Sequence, residues 1–451
     1  MSALRTDARL AWQLVRGTGR REWWRIGLTA VGAAAATGFA LAAVTLAALR
    51  GTHRVPWFHG LLDQPGTRAG IVVGLLLSLV PVLGFLGQCA RVGAVHRDRR
   101  LAALRLAGAT PWQVRRIAAL ETGLAGLLGA VPATVCAVVA VLRAWREPTA
   151  ALWAGVALVA VAVPLSGAAV SALALRRVVA SPLGSVRRVT PRSGRGPGLL
   201  FLGALLLVAA AAPALTVTGG GPGGRAPWQP TTVVCAAVLA VGAGAVRLSG
   251  AASRLTGKLL AARARTAATL IAAERLRADP WATARTHAAL LLVTVTGTAF
   301  LCVRQVLLAD LARNEHSAAE LAYYGTGLNL TGAALLISLA IALSGLAVGT
   351  AESLADRRRT LAAQIAAGVP RAVLGRTLLW ETALPLAPAV LLAGAGGLAV
   401  GAGYASLAGT GSLPATAFLL PCAVYASCLA AAATALPLLR RSVRPGELRH
   451  A

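Results

Sequence analysis

Leu101-Ala-Ala-Leu-Arg-Leu-Ala-Gly108-Ala-Thr-Pro111-Trp-Gln-Val-Arg-Arg-Ile-Ala-Ala-Leu-Glu121-Thr122 has a second copy 260 positions further on. That copy runs Leu361-Ala-Ala-Gln-Ile-Ala-Ala-Gly368-Val-Pro-Arg371-Ala-Val-Leu-Gly-Arg-Thr-Leu-Leu-Trp-Glu381-Thr382. The opening Leu-Ala-Ala, the Ala-Gly pair, Arg116/Arg376 and the closing Glu-Thr fall in register without a gap. Each copy links two long apolar runs. A basic, amphipathic joint repeated between membrane spans is a device that a partner on one side of the membrane can grip twice. The plainer alternative, a polar loop tucked between spans, gives no reason for the same Gly and Glu to recur at one offset.

Around the two joints the chain has the composition of a membrane protein. Hydrophobic residues make up 57% of its 451 positions and charged residues only 13%, about half the charge of a soluble domain. Mean hydropathy is +0.70. The formal net charge of +29 could signal nucleic acid. The basic residues, however, gather between apolar runs and are not interleaved with aromatics, which is the pattern of anchoring charge beside a membrane. The six cysteines lie in or beside apolar runs and form no CxxC, so they read as small buried residues. The first 26 residues, with six arginines, are too polar for a cleavable signal peptide.

About 20 apolar residues cross the hydrocarbon core as a helix. Ten runs qualify, near 27–49, 69–90, 117–142, 150–174, 198–216, 231–247, 286–308, 328–350, 380–404 and 414–438. Arginine is concentrated before the first run, after the second, fourth, sixth and eighth, and in the tail. By the positive-inside rule both termini and both joints are cytoplasmic and the chain is multi-pass in the cell membrane. The opposite loops, 50–68, 309–327 and 405–413, are too short to form a domain.

The expected fold class is all-α, a polytopic membrane protein. It comprises a first four-span unit over 1–196, a central two-span linker over 197–250 and a second four-span unit over 251–451. Six crossings separate the joints, an even number, so the two units are parallel copies. Each unit opens with a basic amphipathic segment, 8–16 and 267–277, of the kind that lies on the inner leaflet. Each also closes alike, at Leu175-Arg-Arg-Val-Val-Ala-Ser-Pro182-Leu and at Leu439-Arg-Arg-Ser-Val-Arg-Pro445-Gly-Glu-Leu.

The first joint has a readable geometry. A basic helix from Arg97 to Leu106 extends the second span, and Gly108 ends it as a C′ glycine. Thr110 is an N-cap, Pro111 suits the first helical position and Gln113 completes a capping box, so a new helix starts there and enters the third span. The second joint keeps the glycine, moves the proline to Pro370 and lacks the threonine. Glu121 and Glu381 are the repeated acids, each at the entrance of a span. Either they are carboxylates favoured near a helix start and paired with an interfacial arginine, or they are struts that fix each joint against the opening amphipathic helix. No second acid lies deeper in either span, which argues against a proton relay.

No Walker A, HExxH or Ser/His/Asp set can be read in the chain, and no catalytic, metal or cofactor residues are assigned. Any hydrolysis that drives this protein is expected on a partner.

The joint residues Leu104-Arg105 through Glu121, with Ser181-Pro182-Leu and Pro445-Gly-Glu-Leu-Arg449, resemble the FtsX-like permease family, the membrane subunits of MacB-type ABC transporters. The second joint resembles it less closely, since Gln364-Ile365 replaces Leu-Arg and the Thr-Pro corner is altered. A four-two-four span order resembles the fused ten-span permeases that act against antimicrobial peptides, without their large extracellular domain. The resemblance implies a separate ATP-binding subunit, as a dimer, docked on the joints, no cofactor, and mechanotransmission of ATP-driven closure. The substrate it implies is an amphiphile such as a peptide antibiotic or a lipid, exported or extracted. The residues it marks for coupling are Arg99, Arg100, Arg105, Gly108, Ala109, Thr110, Pro111, Gln113 and Arg116 in the first joint. In the second they are Arg358, Arg359, Gly368, Val369, Pro370, Arg371 and Arg376. Two alternatives stay open: a force-transmitting regulatory subunit that moves no substrate, and an ATP-independent secondary transporter.

Overall fold

Apolar runs in lipid have no water to satisfy their backbone polar groups, so they fold as helices that satisfy those groups internally. The computed structural model describes residues 20–49, 61–63, 65–89, 103–104, 106–144, 148–174, 229–278, 280–313, 317–407 and 414–437. Among these residues there are eleven helices and no strand. They are α1 (Arg20–Ala48), α2 (Pro65–Cys89), α3 (Pro111–Ala144), α4 (Ala150–Ala174), α5 (Gln229–Arg263) and α6 (Ala267–Ala278). The remaining five are α7 (Pro280–Arg313), α8 (Ala318–Asp356), α9 (Arg358–Ala366), α10 (Arg371–Leu407) and α11 (Ala415–Ala433). The chain is an all-α, multi-pass membrane protein.

Seven of the described helices are long and apolar enough to cross a membrane. They correspond to the first, third, fourth and seventh to tenth of the ten runs read from the sequence. The second run lies in α2, whose apolar stretch Gly74–Leu83 is shorter. The sixth lies in α5, and the fifth, 198–216, falls outside the described residues. So do the opening segment 8–16 and the two closing segments.

The chain divides into two units, residues 1–49 with 75–190, and residues 50–74 with 191–451. Within the first, α1, α3 and α4 pack on one another. Within the second, α7, α10 and α11 do the same, and α8 packs on α7 and α11. A shift of 260 positions carries Pro111, the first residue of α3, onto Arg371, the first residue of α10. The same shift places α1, α2 and α4 over α7, α8 and α11.

Close helix approach replaces the hydrophobic drive that lipid removes. A Cβ at Gly129 of α3 would fall 1.8 Å from the Ala30 carbonyl oxygen of α1. A Cβ at Gly397 of α10 would fall 2.6 Å from that of Val295 in α7. The opposite face of α3 leaves Leu127, Leu128, Val131, Val135, Val139 and Leu142 exposed. That apolar stripe suits lipid, not water.

Two sequence expectations change. The outer segment 309–327 is mostly helix: α7 runs on to Arg313, and α8 begins at Ala318 behind a Ser317–Glu320 capping box. The amphipathic segment 267–277 is a helix, but its small face turns to protein and not to lipid. Ala268, Ala272, Ala273 and Leu276 are buried, and α6 packs on α5 and α10. Spacing of i, i+4 draws an apolar stripe whichever neighbour covers it, and alanines at those positions admit a second helix closely.

Candidate functional site

The two joints are built as corners, and their backbones share two matching bonds. At the first, Ala107 N–H donates to the Ala103 carbonyl (2.9 Å) and Ala109 N–H to that of Leu104 (3.0 Å). At the second, Ala367 N–H donates to Ala363 (2.9 Å) and Val369 N–H to Gln364 (3.0 Å). The second bond of each pair spans five residues and closes a Schellman motif, which needs a left-handed residue at C′. Gly108 (φ +95°) and Gly368 (φ +88°) supply it, and they are the positive-φ glycines among the described residues. Any residue with a Cβ would be strained there.

After the glycine the corners diverge. Thr110 N–H donates to Gln113 Oε1 at 2.8 Å, and Gln113 N–H donates to Thr110 Oγ1 at 3.3 Å. This reciprocal capping box starts α3 at Pro111, as the spacing predicts. At the second corner the Pro370 carbonyl accepts from Val373 (3.0 Å) and Leu374 (3.4 Å) N–H. Proline has no side-chain acceptor and Val373 replaces the glutamine, so no box can form.

Both corners close on a small apolar core, which shares the equivalent positions Ala109/Val369, Val114/Leu374 and Ala118/Leu378. In the first, Leu104 and Ala109 pack against buried Val114 and Ala118. In the second, Val369 and Ile365 pack against buried Leu361, Leu374 and Leu378, with Leu354, Ala435 and Leu436 joining them. Behind each corner a single helix continues into a membrane-crossing segment. α3 has 34 residues and α10 has 37, roughly 50 and 55 Å at the α-helical rise.

Ala107, Gly108 and Thr110 are exposed at the first corner, as are Ala367, Gly368, Pro370, Arg371 and Arg376 at the second. Gln113 and Arg116 are half-buried beside the first, and Val369 and Arg358 beside the second. Arg359 lies in α9. Arg99, Arg100 and Arg105 fall outside the described residues.

The repeated acids occupy inward-facing positions. Glu121 is buried in α3. Glu381, whose side chain is 16% exposed, accepts from Arg275 of α6 through Oε1 and from Arg357 through Oε2 at 3.0 Å. Arg357 is the residue between α8 and α9. One carboxylate therefore ties the amphipathic helix and the start of α9 to α10. Sequence reasoning singled out Glu381 but not its two partners. Arg275 lies 106 positions away, and only the packing of α6 on α10 brings it there. Arg357 carried a signal in the repeat, since Arg97 occupies the equivalent place.

Residues 68–183 match the family model of the FtsX-like permease C-terminal domain. The chain carries an FtsX-like permease domain. The FtsX-like match spans most of α2, the whole first corner, α3 and α4, and it points to an ABC-transporter-type permease. Permeases of this family generally work with ATP-binding subunits. No curated protein and no solved structure matches the chain.

Proposed function

We propose that the chain is the membrane subunit of an ABC transporter in the cell membrane, with both termini cytoplasmic. In this reading a separate ATP-binding subunit, acting as a dimer, docks on the two corners. ATP hydrolysis there drives export or extraction of an amphiphile, a peptide antibiotic or a lipid, by mechanotransmission.

The observation that carries the reading is the duplicated corner. The same glycine-centred bend is exposed twice, 260 positions apart, and each time it opens a helix that continues through a candidate span. Such a corner is suited to passing force. The Schellman bonds fix the incoming helix to the bend, and the i→i−4 ladder, free of proline from the corner as far as Pro132 in α3 and Pro385 in α10, makes the first part of the outgoing element a stiff rod. A push on the corner is then carried along the rod axis. Glu381 serves this scheme as a strut that keeps α6, α9 and α10 moving together, and Glu121 takes the equivalent place in α3. The coupling surface comprises Arg99, Arg100, Arg105, Gly108, Ala109, Thr110, Pro111, Gln113 and Arg116 on one side and Arg358, Arg359, Gly368, Val369, Pro370, Arg371 and Arg376 on the other.

The test is co-purification with the ATP-binding protein encoded nearest to this chain, followed by ATPase assay. A four-residue acidic insert after Gly108, or after Gly368, should leave the membrane subunit folded and abolish its effect on hydrolysis. Unchanged coupling with both inserts would sink the proposal.

A further inference from the structure

The corners share a backbone but not a surface. Leu106 and Trp112 flank the first corner and are 76% and 63% exposed. Their equivalents at the second corner are Ala366 and Ala372, both exposed. The second corner shows solvent Arg371 and Arg376 instead.

We infer that the two corners are unequal docking sites: Leu106 and Trp112 anchor the first in an apolar pocket of the ATP-binding subunit, and Arg371 and Arg376 make the second a weaker contact with an acidic surface of it. This rests on the docking function proposed above and specifies it.

Three observations favour this occupant. Large apolar side chains on both sides of a rigid turn, with small residues between them at Ala107 and Gly108, form a protruding knob that fits a pocket. Tryptophan in such a place is the residue type most enriched among those that dominate interfaces. The alternative occupant of an exposed tryptophan is the lipid headgroup belt. Trp380 fits that belt, because it is 42% exposed and adjoins Glu381 at the head of the apolar run. Trp112 stands further out than Trp380. It precedes Glu121 by nine residues on one helix, roughly 13 Å along the axis, with Arg115 and Arg116 between. Beside the exposed corner, protein can reach it. At the second corner no apolar side chain larger than alanine stands at either flank. Exposed arginines there gain mainly from opposite charge, and such contacts at a rim set encounter more than affinity.

The experiment measures binding of the nearest-encoded ATP-binding protein to the full chain in detergent, for wild type, Trp112→Ala, Trp112→Phe, Arg371→Ala and the double variant Trp112→Ala/Arg371→Ala. Both side chains are exposed, so folding should survive. Trp112→Ala should weaken binding by about 30-fold or more, the loss that defines a dominant interface residue. Trp112→Phe should stay within about 3-fold, because the pocket remains filled. Arg371→Ala should also stay within about 3-fold, and its effect should vanish at high salt. Equal losses at the two corners, or a larger loss at Arg371, would overturn the inequality and leave docking intact. A double variant that binds like wild type, or no wild-type complex at all, would remove the docking function and the inference with it.

Discussion

The first corner carries a capping box close in sequence that the second lacks, and the second, among the described residues, shows packing and charge from far away. Thr110 and Gln113 cap α3 across three residues. The start of α10 has no such box, yet Leu354, Leu361 and Ala435 close over Leu374 and Leu378, and Glu381 gathers two arginines from other elements. Shared between them are the glycine and the six-residue closure around it. The bend itself is therefore the common requirement. How it is stiffened, and what it shows a partner, are free to differ.

This contrast can be broken at its strongest point first. Leu374→Ala empties part of the second corner's core and should cost about 3 kcal/mol, as buried leucines do. Val114→Ala at the equivalent place removes less volume and should cost about 1–2 kcal/mol. Thermal melts of the purified protein followed by tryptophan fluorescence would rank the two; equal losses would erase the local-versus-distant distinction.

Next come the glycines. Gly108→Val and Gly368→Val each force a β-branched residue into φ near +90°, a strain of about 1–3 kcal/mol. Their effects on stability, read from thermal melts, should be alike, because the backbone is alike. A tolerated valine at one corner alone would show that only the other uses the bend.

Glu381→Gln leaves two guanidiniums facing an amide. The pair is partly solvent-exposed, so the loss should be only about 1 kcal/mol and should shrink as salt rises. A melt insensitive to Gln at 381 would mean that packing alone holds α6 to α10.

The smallest change tests the cap. Thr110→Ala should destabilise the first corner by about 1 kcal/mol. Pro370→Thr with Val373→Gln transplants the box to the second and should stabilise it by about 0.5–1 kcal/mol. Hydrogen exchange at residues 112–115 and 372–375 would read both; no gain from the transplant would show that distant packing already fixes the second corner.

Much of this architecture can be read in the residues themselves, and the exceptions have a common cause. Apolar runs report where a helix meets lipid, and the Gly-Ala-Thr-Pro-x-Gln string reports a local corner, because both signals are short-range. Helix continuation beyond the lipid is not reported. α5 stays helical through Arg254, Lys258 and Arg263 to a total of 35 residues, and α8 extends over ten residues before the run at 328. Charged residues interrupt hydropathy without interrupting i→i−4 bonds. The Ser317-x-x-Glu320 box was present as a signature, but its place inside a presumed outer loop hid it. Partners such as Arg275 for Glu381 depend on which helices pack together, and no local pattern encodes that.

The central claim, that one partner grips both corners, is tested most directly by photo-crosslinking. A benzophenone amino acid would replace Ala107 in one variant and Ala367 in the other, two exposed and equivalent positions. The chain would be co-expressed with the nearest-encoded ATP-binding protein and irradiated. The account predicts a covalent adduct between the two proteins from each position. A co-purifying complex that crosslinks from neither would contradict it.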